Sequence, residues 1–348
     1  MPLIAVPERA SSEGRARWAR PSFFRVPSPV NAQALPHDEP RPLRVQHGDW
    51  ASLVETTKPG ITRLVTITSM VGFAMAALQR SWDPAHLYLQ AVICLVGTAL
   101  SAAGANSINQ WIERDRDARM DRTSKRPLPS GRLTPRVVLI AGITLSLLGV
   151  SVLSMVGLMP AMVSLACVVS YVFLYTPMKP FSTLSTFVGA IPGGLPPLIG
   201  WTAATRTEGL ASLTEPLGLS LVGLMLIWQI PHFLAIAWMY RDDYERGGYA
   251  VLPVIDRAGT WTAATMALWA FALIPATLLP AFLAPDLLGL PYVILAGLTG
   301  VAYALLALRL LAKRDRARAR AVFFASIAHL PLILLAMVAE GFVRRVML

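Results

Sequence analysis

The apolar positions fall in long continuous runs, neither alternating nor confined to a narrow stripe. Residues 137–159 carry no charge, and within residues 217–239 His232 is the one ionisable side chain. A helix needs about 20 apolar residues to cross a hydrocarbon layer of about 30 Å. Inside that layer only helices and closed barrels satisfy their own backbone, and unbroken apolar runs select helices. Nine spans follow, near residues 60–79, 86–106, 137–157, 159–176, 186–204, 217–239, 262–283, 289–311 and 322–341. The fifth is interrupted by Pro192, Gly193, Gly194, Pro196 and Pro197. A break of that kind is tolerated where the backbone lines a cavity or is covered by protein, which makes this span a functional candidate. The pattern predicts an all-α fold, a polytopic transmembrane helical bundle of about nine helices.

Composition agrees. Of 348 residues, 55% are hydrophobic and 15% charged, with mean hydropathy +0.54; a soluble chain carries about a quarter charged residues. Residues 1–55 are rich in Pro, Arg and Ser without periodicity, so a disordered N-terminal tail is expected there, with residues 56–348 as the membrane domain. The tail has no apolar core of a secretory signal. Arg15, Arg17, Arg20 and Arg25 suit a mitochondrial transit segment while Glu8 and Glu13 do not, which favours a bacterial cell membrane over the mitochondrial inner membrane.

The net charge of +11 reflects topology and calls for no nucleic acid, because Lys and Arg accumulate in cytoplasmic loops. Arg114, Arg116, Arg119, Arg122, Lys125, Arg126, Arg132 and Arg136 follow span two; Arg241, Arg246 and Arg257 follow span six; Lys313, Arg314, Arg316, Arg318 and Arg320 follow span eight. Nine spans put all of these on one side with the N-terminal tail, which is then cytoplasmic, and leave Arg344 and Arg345 on the opposite side against the rule. Cys94 and Cys167 sit inside apolar runs as packing residues.

The chemistry concentrates where spans end. Asn109, Glu113, Asp117 and Asp121 recur every four residues. Each step on a helix turns about 400°, giving one drifting stripe with neighbours about 6 Å apart along the axis. Like charges at that spacing oppose the helix, so a cation is expected among them. Mg²⁺ takes one or two carboxylates and completes its shell with water and substrate phosphates. The competing reading is a solvated helix end salt-bridged by the interleaved arginines. Asp115 points about 200° away from Glu113 and has a different role or is simply solvated. Arg122, Lys125 and Arg126 suit a leaving diphosphate or a topology signal equally. A second segment runs from Trp228-Gln-Ile-Pro-His232-Phe into Arg241-Asp242-Asp243-Tyr244-Glu245-Arg246-Gly247-Gly248-Tyr249. His232 inside a span is a functional candidate or a hydrogen-bonded packing residue, and the acidic loop is a second metal site or a solvated loop. Lys179, in Tyr175-Thr-Pro-Met-Lys179, stands at the same face; His329 reads as packing.

These strings, with Thr57-Lys58-Pro59 and residues 189–201, resemble the UbiA-type prenyltransferase superfamily over residues 57 to about 254, and within it most resemble the haem-farnesylating branch. Two features depart from the wider pattern: Asp242-Asp243-x-Glu245 with Tyr249 replaces an Asp-x₃-Asp pair, and Glu113 stands where Asp is frequent. The resemblance implies a central cavity opening toward the cytoplasm and Mg²⁺-dependent farnesyl transfer from farnesyl diphosphate to a vinyl group of haem B with addition of water. It implies Asn109, Glu113, Asp117 and Asp243 as catalytic residues, joined by Asp121 as metal ligands. It further implies Arg122, Lys125, Arg126, Tyr175, Lys179, His232 and Tyr244 as substrate-binding residues. The expected partners are the lipid bilayer, the two substrates, and a downstream haem A synthase or terminal oxidase assembly. An aromatic acceptor such as a quinone precursor is the nearest rival. A transporter is the rival from another class, but it predicts a related second half, and no matching carboxylate stripe occurs in the C-terminal third.

Overall fold

The computed structural model describes residues 50–80 and 84–347. In chain order its helices are α1 (Trp50–Thr56), α2 (Pro59–Leu78), α3 (Pro84–Asp117), α4 (Pro135–Ser154), α5 (Leu158–Val169), α6 (Thr176–Met178), α7 (Ser185–Gly194), α8 (Pro196–Ala204), α9 (Pro216–Met239), α10 (Arg241–Arg246), α11 (Leu252–Ile255), α12 (Thr260–Leu283), α13 (Leu290–Ala312) and α14 (Arg316–Met347). Among the described residues, eight helices are long and apolar enough to cross a membrane. The fifth predicted span is instead the pair α7 and α8, which meet at Leu195. Of the expected disordered tail, residues 50–55 belong to helix α1, and residues 1–49 lie outside the described residues.

The breaks have local causes. Pro196 has no N–H to offer Pro192, and the Cys167 thiol donates to the Pro192 carbonyl instead, at 3.1 Å. Cys167 therefore does more than fill space. A π-helical turn, Ser170–Tyr175, joins α5 to α6. Pro177 follows it and cannot donate back to Phe173, and such turns recur at functional sites. Here the turn brings Tyr171 and Tyr175 to the wall of a cavity.

With no hydrophobic drive between helices in lipid, close backbone approach at small residues holds bundles together. A Cβ on Gly72 of α2 would collide with the carbonyl of Pro197, and one on Gly200 of α8 with the carbonyl of Ser69. On the lipid side Ile140, Leu147, Leu268, Leu298 and Leu335 are exposed, while Trp201, Leu224, Tyr292 and Tyr303 fill the interior.

Counting α7–α8 as one crossing, the described residues pass from end to end nine times. The loops after α3, α9 and α13 then share one end with Lys58 and Lys179, and contacts tie them together there: Arg246 reaches Asp121 at 2.6 Å, the Ala250 amide donates to the Lys179 carbonyl at 2.9 Å, Lys58 donates to Asn109, and Arg314 after α13 donates to Thr260 at the start of α12. At the other end Glu340 accepts from the amides of Gly289 and Tyr292 at 2.8 Å each and pairs with Arg344 at 2.9 Å. This pairing offsets one of the two arginines that stood against the topology rule.

Candidate functional site

Helix α3 carries the acidic stripe only as far as Asp117. Beyond it the amides of Arg119 and Met120 bond three residues back, to Arg116 and Asp117, and this tightening turns the chain. The Thr123 hydroxyl donates to the Asp117 carbonyl at 2.9 Å and fixes the turn. Asp121 therefore leaves the stripe; its exposed carboxylate pairs with Arg246.

The other three positions are buried and each meets a cation. Lys58 donates to Asn109 Oδ1, and Asn109 Nδ2 donates to Thr176 Oγ1 at 3.0 Å. Lys179 Nζ lies 2.7 Å from Glu113 Oε1, and Arg126 lies 2.7 Å from Asp117 Oδ2. Asp115, as its angle predicts, is exposed and near Arg114. Lys58 holds a left-handed backbone, φ 49° and ψ 68°, a conformation that costs a non-glycine residue roughly 1–3 kcal/mol and here aims its ammonium into the cluster. Burial, aided by Arg126 and Lys179, pushes Lys58 down to about 7 although Glu113 and Asp117 pull the other way. Burial also opposes the charge on Lys179, but contact with Glu113 wins and holds it well above the usual lysine range.

The second loop closes over this cluster. Asp243 is buried, accepting from Arg246 and from the Asp121 amide at 3.1 Å. Arg116 donates to the carbonyls of Gly247 and Gly248 at 3.0 Å each. Gly248 has φ +69° and Arg116 beside its Cβ position, so the Gly-Gly-Tyr string is needed to turn Tyr249 inward. Arg122 packs over the rings of Tyr240 and Tyr244.

A cavity of about 380 Å³ runs inward from these groups. Glu113, Asp117, Lys58, Lys179, Arg122 and Arg126 line its polar end. Further in, Ile61, Leu64, Val168, Ile199 and Met225 give apolar walls, with the rings of Tyr171, Tyr175, Tyr249, Trp228 and His232 among them. Ile61, Leu64 and Phe233 line it and yet stay exposed, so it is open to the bilayer beside α2 and α9. Of the residues singled out in the sequence, Glu113, Asp117, Arg122, Arg126, Tyr175, Lys179, His232 and Tyr244 are on its wall. Asn109 and Asp243 stand behind it, while Asp121 and Lys125 are exposed outside it. Sequence reasoning gave no role to Lys58, Tyr171 or Tyr249. A lysine just before the first span reads as loop charge, and only the left-handed turn reveals its direction. His329 is buried and stacked on Tyr303 at 5.9 Å.

Among the described residues no three His, Cys, Asp or Glu side chains gather as a metal cluster. Two carboxylates do share the polar end, and Asp117 Oδ1 is buried there without a hydrogen-bond partner. Two oxygen donors and a spare lone pair fit an Mg²⁺ ion that relies on phosphate for the rest of its shell.

Fold and site together define a polytopic membrane protein built to hold an apolar molecule with an anionic head. The UbiA prenyltransferase family model matches residues 65–328, and the chain belongs to that family. It is 40% identical to a protoheme IX farnesyltransferase of Solibacter usitatus over 285 residues, 80% of this chain and 95% of the relative. It is 38% identical to one of Opitutus terrae, covering 84% and 95%. Among solved structures it resembles digeranylgeranylglyceryl phosphate synthase (TM-score 0.68, 15% identity, 84% of this chain and 98% of that one). It also resembles a UbiA homolog from Archaeoglobus fulgidus bound to GPP and Mg²⁺ (TM-score 0.58, 13% identity, 84% and 99%). At these identities the structural likeness speaks for the fold.

Proposed function

We propose that this chain transfers the farnesyl group of farnesyl diphosphate to a vinyl group of haem B, with addition of water, to give haem O and diphosphate. The observation that carries the reading is the polar end of the cavity, where two buried carboxylates and three partly buried cations stand at the mouth of an apolar chamber. The similarity to protoheme IX farnesyltransferases selects haem as the acceptor. The cavity end bearing the basic loops faces the cytoplasm, and the N-terminus lies on that side of a bacterial cell membrane.

Glu113 and Asp117 would hold Mg²⁺, with Asn109 on α3 and Asp243 in the second loop bracing the surroundings of the two carboxylates. Bound there, the metal would supply charge neutralisation for the departing diphosphate. Lys179, Arg126 and Lys58, now paired with protein oxygens, turn to the diphosphate oxygens as they accumulate charge. Arg122 closes the rim, and Lys125, exposed on the same loop, meets the diphosphate only on entry. The C–O bond breaks with its electron pair on the leaving group, leaving an allylic cation faced by the rings of Tyr171, Tyr175 and Tyr249. The terminal vinyl carbon of haem bonds to this cation, water captures the positive charge on the carbon next to the porphyrin, and a proton is released. The apolar wall limits other water from reaching the cation first.

Supplying haem B and an aromatic quinone precursor together, with farnesyl diphosphate and Mg²⁺, tests the acceptor. Farnesylated haem as the main product supports the reading; prenylation of the aromatic acceptor alone replaces it with the rival.

A further inference from the structure

His232 differs from an ordinary packing histidine in how its two ring nitrogens are used. Its ring is held between Trp228 (centroids 4.7 Å apart, 20° between planes) and Phe323 of α14 (5.2 Å, 24°). Nδ1 lies 2.7 Å from Ser326 Oγ. The single hydroxyl proton of Ser326 is donated to the Phe323 carbonyl at 2.5 Å, so toward His232 the serine oxygen accepts. Nδ1 therefore carries the imidazole proton, and Nε2 carries the lone pair. The Ser326 carbonyl is also engaged, accepting from Trp228 Nε1 at 2.9 Å, which pins the three residues to one another.

His232 lines the cavity, and Nε2 has no hydrogen-bond partner among the described residues. His329 provides the contrast: it is stacked on Tyr303, stands off this cavity's wall, and has both nitrogens buried without partners. A neutral imidazole whose Nδ1–H is held by an oxygen acceptor, with Nε2 bare at a cavity wall, is the form in which histidine binds a metal. His232 lies on α9, eight residues before Tyr240 at the helix's C-terminal end, roughly 12 Å deeper into the membrane. That places Nε2 in the apolar part of the chamber, away from the diphosphate end.

We infer that Nε2 of His232 is an axial ligand to the iron of the haem substrate, and that Ser326 is the positioning residue that fixes the ligating tautomer. This rests on haem being the acceptor. Ligation through iron anchors the macrocycle at its centre and leaves its vinyl edge free to meet the farnesyl cation; no electron is transferred.

The test uses the purified full chain in detergent, titrated with haem in the absence of farnesyl diphosphate. Wild type is expected to give the absorption and electron paramagnetic resonance spectra of histidine-ligated ferric haem. His232→Ala is expected to lose them and added imidazole to restore them, which also shows that the variant is folded. In the ferrous state Ser326→Ala should lower the iron–histidine stretching frequency, because Nδ1–H loses its acceptor, and Ser326→Thr should keep it. If wild type binds haem and His232→Ala gives the same spectrum, the ligation is wrong while the haem reading survives. An unchanged stretch in Ser326→Ala overturns the role of Ser326. If wild type binds no haem, the haem reading itself fails.

Discussion

Lys179 Nζ sits 2.7 Å from Glu113 Oε1, and the pair is largely enclosed, with 15% and 7% of the two side chains' surface exposed. An ion pair this enclosed is costly to break from one side, because the remaining charge stays buried. Lys179→Met or Glu113→Gln alone is expected to destabilise the protein by about 3–5 kcal/mol. The double variant should cost less than the sum of the two. Denaturation of the three variants in mixed micelles checks this; strictly additive losses would show that the two side chains do not depend on each other.

Asp117 keeps one oxygen on Arg126 and the other unpartnered at the cavity. Asp117→Asn preserves shape and removes the charge, so activity should fall by roughly 10²-fold or more while membrane insertion is unchanged. Comparing turnover per inserted molecule reads this. A variant that works at the wild-type rate removes Asp117 from the metal site.

Lys58, held at about 7, is charged below neutrality and largely uncharged above pH 8. A bound diphosphate favours the charged form. In the absence of divalent metal, diphosphate binding at pH 8 should take up about one more proton in wild type than in Lys58→Arg, which is always charged; at pH 6 the two should match. Calorimetry in buffers of different ionisation enthalpy measures the difference. The same shift acts on stability. A lysine lowered in the folded state costs stability below about pH 7, and the cost is relieved as pH rises toward the unfolded value near 10.4.

The crossing of α2 and α8 leaves no room for a methyl group at Gly200, because the Ser69 carbonyl is fixed backbone. Gly200→Ala should separate the helices and lower stability by about 1–3 kcal/mol, whereas Gly223→Ala, which meets nothing, should be neutral or stabilising. Thermal unfolding of the two variants tests the contrast.

Much of the fold was legible because hydropathy is local. Continuous apolar runs marked the crossings, and the Pro and Gly residues of 192–197 marked the one that breaks. The site was legible where spacing carries it, at Asn109, Glu113 and Asp117, which share a helix face. Asp121 shows the limit of that reading: the stripe extends to it in sequence, but hydrogen bonds at Arg119 and Met120 end the helix first. Partners distant in sequence were not legible. The approach of Lys58 to Asn109 depends on one left-handed residue, and Ser326 meets His232 across 94 residues, from a helix whose sequence offers only hydropathy.

Farnesylation of haem with capture of water is the reaction at the centre of the proposed function. Mass spectrometry of haem recovered from the purified chain in lipid vesicles, given haem B, farnesyl diphosphate and Mg²⁺ in ¹⁸O-labelled water, tests it directly. The expected product is a haem carrying one farnesyl group and one labelled hydroxyl oxygen, released with one diphosphate. Diphosphate release with haem B recovered unchanged would contradict it.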